Sequence, residues 1–516
     1  MIISRRHFLG TAAAATAMIP LRATDFSSRK FQDPDDRVPL DEIAADPLRP
    51  QFHLLPARNW MNDPNGPIYW KNSYHMFFQY DPDAAVWGNM NWAHAVSPDM
   101  IHWKHLPIAL APTFGGYDQD GCFSGCAVTQ QGVATILYTG VKTVPPAQAT
   151  LRDGTHNFLE VQCLATSADS DLLAWQKFPQ PVLLPPQDPR ITGFRDPFLY
   201  RTENNWLMGI GSGIRGKGGR VLLYRSEDLR DWRYLHPLAS GVRTGKETKD
   251  PVDAGEMWEC PDFFALGKKH VLLYSTERKV YWETGELDPK QLIFHREKQG
   301  LVDYGSFYAP KSQLDASGRR ILWGWIKETR PEVELIAAGW AGCMSLPRVL
   351  TLADGGSLKM EVIPELARLR DLEMFLPVPS AGDEARLAAL GGMELKTATA
   401  EIEVAFQPKP LHLTISDGAQ EILALAFVPT RRGQELQIGD IAVPCPASRA
   451  ALQHLRIFLD ASVAECFLNG ELAFTYRTYR APAANLRMKI PQAELAAVES
   501  LQIWPLRPIS PDRLTG

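Results

Sequence analysis

The seven residues Trp60-Met61-Asn62-Asp63-Pro64-Asn65-Gly66 are the stretch from which the fold and the chemistry of this chain are most directly predicted. Asp63 stands before a proline, which disfavours a helix, and the neighbouring Asn, Pro and Gly favour an extended or turn conformation. An apolar, strand-like segment, Pro67-Ile68-Tyr69-Trp70, follows directly. A carboxylate held on a stiff turn near tryptophan is typical of a sugar site, although such a run also serves as a simple Asx-turn at a strand.

Two further acidic motifs of this kind occur downstream. Phe194-Arg195-Asp196-Pro197 repeats the Asp-before-Pro arrangement and adds an arginine, whose charge favours an ionised carboxylate. Trp258-Glu259-Cys260-Pro261 places a glutamate between an aromatic ring and a small thiol, where partial burial favours the neutral carboxyl that a general acid needs. Each motif alone is typical of a surface turn. Together they supply an ionised carboxylate, a protonated carboxyl and a third polar group, which is the set required for glycoside cleavage.

Length and composition indicate an ordinary globular protein of two or three domains. The 516 residues are 45% hydrophobic and 22% charged, a balance that is typical of soluble proteins. The net charge is -5, from 54 basic and 59 acidic residues, so neither a nucleic-acid partner nor an anionic membrane is expected. The seven cysteines are odd in number and contain no C-x-x-C pair, so the sequence predicts neither a disulfide framework nor a zinc site.

The first 30 residues have the pattern of an export signal. Ser4-Arg5-Arg6-His7-Phe8-Leu9-Gly10 resembles a twin-arginine motif, and a short apolar run with a candidate cleavage region follows it. That run is too short to span a bilayer, and no later stretch of about 20 apolar residues occurs. We therefore expect export to the periplasm or the cell exterior, no membrane association after removal of the signal, and a linker over residues 31–50. A basic disordered tail is the alternative.

From residue 51 onward, short apolar or alternating runs separated by Gly, Pro, Asn and Asp predict an all-β chain. Three segments share the pattern D-[LM]-x-x-W and end at Trp103, Trp175 and Trp232. A strand-turn unit recurring at this large spacing predicts the blades of a β-propeller, although chance placement of tryptophans is the alternative. A short connecting helix is predicted over residues 363–379. Alternating runs and an Asn469-Gly470 hairpin turn predict a β-sandwich over 380–510.

The three acidic motifs, in this order and at these spacings, resemble those of glycoside hydrolase family 32, the invertases, exo-inulinases, levanases and related β-fructosidases. Other segments fit the family pattern, and the similarity extends over about residues 48 to 508: Phe78-Gln79-Tyr80, Trp87-Gly88, Phe123-Ser124-Gly125, Phe307-Tyr308-Ala309 and Ser345-Leu346-Pro347-Arg348. The resemblance implies a five-bladed β-propeller over residues 51–362, followed by the β-sandwich. It also implies anomer-retaining hydrolysis through a covalent fructosyl-enzyme, without a metal or another cofactor.

Site residues follow from the resemblance, motif by motif. Asp63 is similar to the nucleophile that attacks the fructose anomeric carbon, Glu259 to the acid/base, and Asp196 to the transition-state stabiliser. The implied fructose-binding residues are Trp60, Asn62, Gln79, Trp87, Phe123, Ser124, Arg195 and Trp340. Amides and hydroxyls would bond sugar hydroxyls, and aromatic rings would pack on the sugar, with plain core packing as the alternative for any one ring. Asn91, Ala93 and Cys126 depart from the family pattern.

Two other patterns point away from phosphate and metal chemistry. Residues 211–217 match the start of a phosphate-binding loop, but Gly218 follows where Ser or Thr is required, so a hairpin loop is predicted. His102 and His105 lack a third ligand at suitable spacing and are predicted to be surface or packing residues.

The sequence thus predicts an exported enzyme that removes terminal fructose from sucrose or fructans, with a disaccharide or oligosaccharide as its partner. The intact Trp87-Gly88 segment favours exo action. Three alternatives remain open: fructosyl transfer to another sugar, a non-catalytic fructan-binding protein, and a five-bladed glycosidase that acts on arabinose or xylose polymers.

Overall fold

The computed structural model describes residues 37–243, 248–371, 376–377, 393–395, 397–418, 420–431, 433–439, 441–445, 451–480 and 486–516. The predicted export signal and part of the predicted connector therefore lie outside the described residues. The described chain forms seven β-sheets, so the all-β prediction is confirmed. No helix in this part of the chain is long and apolar enough to cross a membrane.

Five sheets occupy residues 59–362. The first contains β1 (Asn59–Trp70), β2 (Ser73–Asp81), β3 (Asn91–Ser97) and β4 (Lys104–Leu110), and the second contains β5 (Cys122–Gln130), β6 (Val133–Thr143), β7 (Leu151–Arg152), β8 (Asn157–Ser167) and β9 (Gln176–Lys177). The third contains β10 (Ile191–Arg201), β11 (Trp206–Ile214), β12 (Gly218–Ser226) and β13 (Arg233–Ser240), and the fourth contains β14 (Glu259–Leu266), β15 (Lys269–Thr276), β16 (Lys279–Leu287) and β17 (Phe294–Asp303). The fifth contains β18 (Phe307–Leu314), β19 (Arg320–Ile326), β21 (Cys343–Met344), β22 (Arg348–Leu352) and β23 (Leu358–Val362), whereas β20 (Trp340–Ala341) pairs with β1.

The first strands of these five sheets, here called the inner strands, are β1, β5, β10, β14 and β18. Each inner strand contacts the next, and β18 contacts β1, which closes a ring. Each also shows a shift in its register with the second strand of its own sheet. Such an irregularity bends a strand and redirects its side chains. Asp63, Asp196 and Glu259 all lie at or beside these shifts, which is why inner strands can present polar groups at the centre of the ring.

The D-[LM]-x-x-W repeat is a turn that occurs in three of the sheets, between β3 and β4, β8 and β9, and β12 and β13. Its second residue is left-handed, with φ of 65° at Met100, 55° at Leu172 and 68° at Leu229. The indole Nε1 of the following tryptophan donates to the carbonyl of that residue in all three cases. The repeat therefore marks the turn that precedes the last strand of the sheet.

Two six-stranded sheets follow and share one apolar core. Their strands are β24 (Leu376–Pro377), β25 (Met393–Leu395), β26 (Thr399–Phe406), β27 (Leu411–Asp417), β28 (Gln420–Thr430), β29 (Gly433–Ile438), β30 (Ile441–Cys445), β31 (Gln453–Asp460), β32 (Val463–Leu468), β33 (Leu472–Arg477), β34 (Leu486–Lys489) and β35 (Val498–Pro505). The orders are β24-β35-β26-β31-β32-β33 and β25-β34-β27-β28-β29-β30. Asn469 and Gly470 are both left-handed, with φ of 56° and 67°, and join β32 to β33 as the predicted hairpin turn.

Helices are few and short in the described chain. Helix α1 (Leu40–Ala45) lies in the segment predicted to be a linker, and its Ile43 is fully buried, so this part of the segment packs on the body of the protein. Helix α2 (Glu332–Ala338) precedes β20. Within the connecting helix predicted over residues 363–379, the structure has a 3₁₀-helix over Pro364–Leu369, and a second 3₁₀-helix spans Gln492–Ala497.

A fully buried group of charges fastens the two-sheet region to the rest of the chain. His53 lies between two carboxylates, with Nδ1 2.7 Å from Asp460 and Nε2 3.0 Å from Glu465. Arg348 also bonds Glu465, and its guanidinium lies 3.0 Å from Asp303. Burial alone would lower the pKa of His53, but the two hydrogen-bonded carboxylates raise it above its ordinary value. The two acidic residues on β31 and β32 are therefore structural.

Candidate active site

A cavity of about 380 Å³ lies where the inner strands meet, and Asp63, Asp196 and Glu259 all line it. These residues come from β1, β10 and β14 respectively, so three motifs that are distant in sequence are brought to one place. The volume suits a small ligand such as a sugar.

Asp63 is partly buried and held by both of its oxygens. Asn62 donates to Oδ1 at 3.0 Å, and the Ser124 hydroxyl donates to Oδ2 at 2.7 Å. Trp60 fixes Asn62 in turn, because its indole Nε1 donates to the amide oxygen at 2.7 Å. Burial, and next the charge of Asp196, raise the pKa of Asp63 from 3.8 to about 6, although the Ser124 hydrogen bond opposes this. Asp63 is thus a carboxyl group fixed in position, with a pKa raised by its surroundings.

Asp196 has a left-handed backbone, with φ of 64°, and is 3% exposed. Its own amide donates to Thr139 at 2.9 Å, and its Oδ2 accepts from the Cys260 amide at 2.9 Å. The Cys260 thiol lies 3.5 Å from that oxygen and 3.3 Å from Asp63 Oδ2. Burial and the nearby carboxylates raise the pKa of Cys260, so the thiol stays neutral and can donate to either carboxylate.

Glu259 is held by a second set of donors. Arg195 donates to Oε1 from Nη2 at 2.7 Å and from Nε at 3.2 Å, and Tyr308 donates to Oε2 at 2.8 Å. Glu160, which is fully buried, fixes Arg195 at 2.8 Å from the other side. Burial and the charge of Glu259 raise the pKa of Tyr308, so its hydroxyl remains a donor. The Glu259 carboxyl is therefore oriented before any ligand arrives.

Most of the predicted binding residues line the cavity: Asn62, Gln79, Trp87, Phe123, Ser124 and Arg195. Trp60 is absent from the lining and acts through its hydrogen bond to Asn62. The three departures from the family pattern, Asn91, Ala93 and Cys126, are not among the lining residues either.

The structure corrects the prediction for Trp340. Its side chain is fully buried away from the cavity, and its indole donates to Asp46 at 2.7 Å. Its backbone pairs with Asn59 at the start of β1. Trp340 therefore supports the strand that carries Asp63 and does not contact a ligand in the cavity.

Sequence reasoning missed several residues that shape the site. Tyr308 lies in a segment that fits the family pattern, but no role was predicted for it. Glu160 belongs to no recognised motif. Trp325 lines the cavity next to Trp60, with ring centroids 5.7 Å apart. Strand alternation could not have singled it out, because Trp323 and Trp325 are two residues apart and share a face of the strand Arg320–Ile326.

The described residues contain neither a metal-binding cluster nor a disulfide bond. No group of three or more His, Cys, Asp or Glu side chains suited to a metal ion occurs among them. The seven cysteines are free.

Three carboxyl groups around one sugar-sized cavity match the set required for glycoside cleavage. Residues 53–361 match the family model of the "Glycosyl hydrolases family 32 N-terminal domain", and residues 388–505 match that of the family's C-terminal domain. The chain belongs to glycoside hydrolase family 32. The resemblance drawn from the acidic motifs is confirmed, and the protein is a glycoside hydrolase.

Relatives in family 32 align along most of the chain. A sucrose-6-phosphate hydrolase of Escherichia coli is 34% identical over 492 residues, which cover 90% of this chain and 97% of that protein. A raffinose invertase of Escherichia coli is 35% identical over 467 residues, which cover 85% of this chain and 90% of that protein. The solved GH32 beta-fructofuranosidase of Bombyx mori is 30% identical, with a TM-score of 0.71, and the match covers 93% of this chain and 100% of that one.

Proposed function

We propose that this family 32 enzyme is a retaining β-fructosidase that releases terminal fructose from sucrose and from fructans. The observation that carries the proposal is the convergence of Asp63, Asp196 and Glu259 on one cavity, where Cys260 contacts two of them and Arg195 holds the third. The named relatives, which include a raffinose invertase and a beta-fructofuranosidase, support a fructosyl substrate.

The contacts support a division of labour among the three carboxyl groups. Asp63, with both oxygens oriented, attacks the anomeric carbon when it is ionised. Glu259 is more exposed than Asp196, with 22% against 4% of the side chain accessible, which suits a group that must reach the leaving oxygen and then a water molecule. Arg195 and Tyr308 stabilise the carboxylate that Glu259 becomes after it has given up its proton. Asp196 accepts hydrogen bonds from fructose hydroxyls, which strengthen in the transition state.

The proposed architecture is a five-bladed propeller followed by a β-sandwich. The ring closure from β18 to β1 supports five blades, one for each sheet of the first region. The shared core of the two six-stranded sheets supports the sandwich.

The charges around the cavity favour a neutral saccharide over a phosphorylated one. Among the described lining residues the cations are Arg195, Arg278 and Lys327. Arg195 bonds two glutamates, and Arg278 forms an ion pair with Asp253 at 2.9 Å. The Lys327 ammonium donates to the Arg278 carbonyl at 2.7 Å, and burial, assisted by the Arg278 charge, lowers its pKa to about 8. A phosphate group would have to compete with these partners.

We also propose export, on the basis of the arginine pair and the apolar run at the N-terminus. Cell fractionation of the natural host tests it, with Arg5→Lys and Arg6→Lys introduced together. The unaltered protein should appear outside the cytoplasm and the double variant inside it. Equal distribution of the two would overturn the proposal.

Fructose release from sucrose, sucrose-6-phosphate, raffinose, inulin and levan tests the activity. In the presence of methanol, a retaining enzyme should yield the methyl β-fructofuranoside, which NMR distinguishes from the α anomer. Formation of the α anomer would overturn the double displacement. Accumulation of longer sugars at high sucrose would favour a transferase, and binding without turnover would favour a fructan-binding protein.

A further inference from the structure

A buried lysine lies directly behind two of the acidic motifs. Lys311, on β18, is 2% exposed and has no part in the lining of the active-site cavity. It lines a second cavity of about 520 Å³, formed by residues farther along the same inner strands. Lys311 is therefore placed to act on the catalytic groups from behind and not to touch a substrate.

The ammonium group of Lys311 joins the two motifs through their backbone. Nζ donates to the carbonyl of Pro261 at 2.9 Å and lies 3.4 Å from the carbonyl of Pro197. Pro197 directly follows Asp196, and Pro261 follows Glu259 and Cys260. One side chain thus bonds the backbone of β10 and β14 immediately after their catalytic carboxyl groups. Lysine suits this position because it offers three donors and no acceptor.

The segments that Lys311 holds are strained. Asp196 and Cys260 have φ of 64° and 47°, a region that non-glycine residues rarely adopt and that persists only where the surroundings enforce it. Each precedes a proline, which lacks an N–H to anchor the chain. The Cys260 amide also bonds the Asp196 carboxylate. A shift of the backbone at Pro261 would therefore displace the carboxyl groups of both motifs.

We propose that Lys311 is a positioning residue that sets the separation of the Asp196 and Glu259 carboxyl groups by holding the two carbonyls together. The expected loss of kcat rests on the proposed function, whereas the expected movement of the two carbonyls does not. A displacement of about 1 Å in a catalytic group costs on the order of 10²-fold in rate. Replacing Lys311 should therefore lower kcat much more than it raises KM.

The test compares Lys311→Met, Lys311→Arg and Arg320→Met in the full-length enzyme, with sucrose as substrate. Methionine removes both hydrogen bonds, whereas arginine keeps donors within reach of the carbonyls. Arg320 is the matched control, because it lines the same second cavity and stacks over Phe264 at 4.7 Å. Its removal deletes a cation there without affecting either carbonyl. Lys311→Met should lose about 10²-fold in kcat with little change in KM, Lys311→Arg should recover most of that loss, and Arg320→Met should match the unaltered enzyme.

A crystal structure of Lys311→Met supplies a readout that does not depend on the substrate. The Pro197 and Pro261 carbonyls should move apart and shift the Asp196 carboxylate. Unchanged positions with unchanged kcat would overturn the inference, as would an equal loss in Arg320→Met. If Lys311→Met does not fold, Lys311→Gln takes its place, and a folded Gln variant with full kcat would overturn it equally. Absence of fructose release by the unaltered enzyme would count against the proposed function instead, and the structural comparison would still decide the role of Lys311.

Discussion

Replacement of Asp63 by asparagine should abolish turnover and at the same time stabilise the protein. The pKa of Asp63 rises from its ordinary 3.8 to about 6, first because of burial and next because of Asp196. Holding this carboxylate ionised in the folded state therefore costs about 3 kcal/mol at pH 7. An amide carries no charge and avoids the cost, but it reproduces the hydrogen bonds imperfectly, at a loss of ~1 kcal/mol. The expected net gain is about 2 kcal/mol at pH 7.

The pH dependence of that gain provides the sharper test. An aspartate whose pKa is raised on folding destabilises the folded state only where it is ionised in the unfolded chain. Asp63→Asn should therefore be no more stable than the unaltered enzyme near pH 4, gain stability as pH rises toward 6, and keep a constant gain above that value. Urea-induced unfolding, followed by tryptophan fluorescence at several pH values, measures the difference between Asp63→Asn and the unaltered enzyme.

Asp188→Asn is the control. This partly exposed carboxylate bonds Arg190, and that interaction lowers its pKa to about 2, so its replacement should give no gain in stability. If Asp63→Asn is no more stable than the unaltered enzyme at pH 7, or if its gain is the same at pH 4 and pH 7, then ionised Asp63 does not oppose folding as stated. Retained turnover in Asp63→Asn would refute its role as nucleophile.

Three further predictions concern the proposed acid/base, the proposed nucleophile and the buried charge cluster. Glu259→Gln should lower kcat/KM for sucrose by about 10²–10⁴-fold, and circular dichroism should show an intact fold. The loss should be smaller with fructosyl fluoride, whose leaving group needs no proton. Equal losses with the two substrates would contradict the acid role. Ser124→Ala removes a hydrogen-bond donor that lowers the pKa of Asp63. The acidic limb of the plot of kcat/KM against pH, expected near pH 6, should therefore move to higher pH. An unmoved acidic limb would show that a group other than Asp63 controls it. His53→Gln should destabilise the protein by about 3–5 kcal/mol, because buried charges lose their partner. Folding raises the pKa of His53 above 6.5. The stabilisation that protonated His53 provides is therefore fully present below pH 6.5 and is lost as pH rises through the pKa of the folded state. Thermal unfolding from pH 6 to 9 should show this fall in stability only in the unaltered protein.

Short motifs predicted the local backbone conformation correctly where neighbouring residues in the sequence determine it. The proline after Asp63 restricts the backbone at that residue, and the glycine after Asn469 permits a left-handed turn. The D-[LM]-x-x-W repeat was likewise readable, because the tryptophan bonds a carbonyl only three residues away. In these cases the interaction lies within a few residues of the motif, so the motif contains the information.

The residues that sequence reasoning missed or misplaced act across long separations. Glu160 holds Arg195 from a different sheet, and Lys311 reaches carbonyls 114 and 50 residues away in the chain. Neither belongs to a recognisable motif, since a buried charge is defined by partners that only the fold brings near. Trp340 was misplaced for the same reason. As a tryptophan it was predicted to be a sugar-binding ring, but its strand pairs with β1 and its indole bonds Asp46.

The active site is held in a conformation and a charge state that oppose folding. A carboxylate with a raised pKa and left-handed residues at positions 196 and 260 each oppose folding. Their supports lie outside the cavity: Glu160 behind Arg195, Lys311 behind the two prolines, and Trp340 beside β1. Glu160 and Lys311 bond groups that contact or adjoin a catalytic carboxyl group, whereas Trp340 pairs with the start of the strand that carries Asp63. Substitutions at these supports should therefore reduce catalysis although none of them lines the cavity. They would act alongside lining residues such as Ser124 and Tyr308, which hold the carboxyl groups directly.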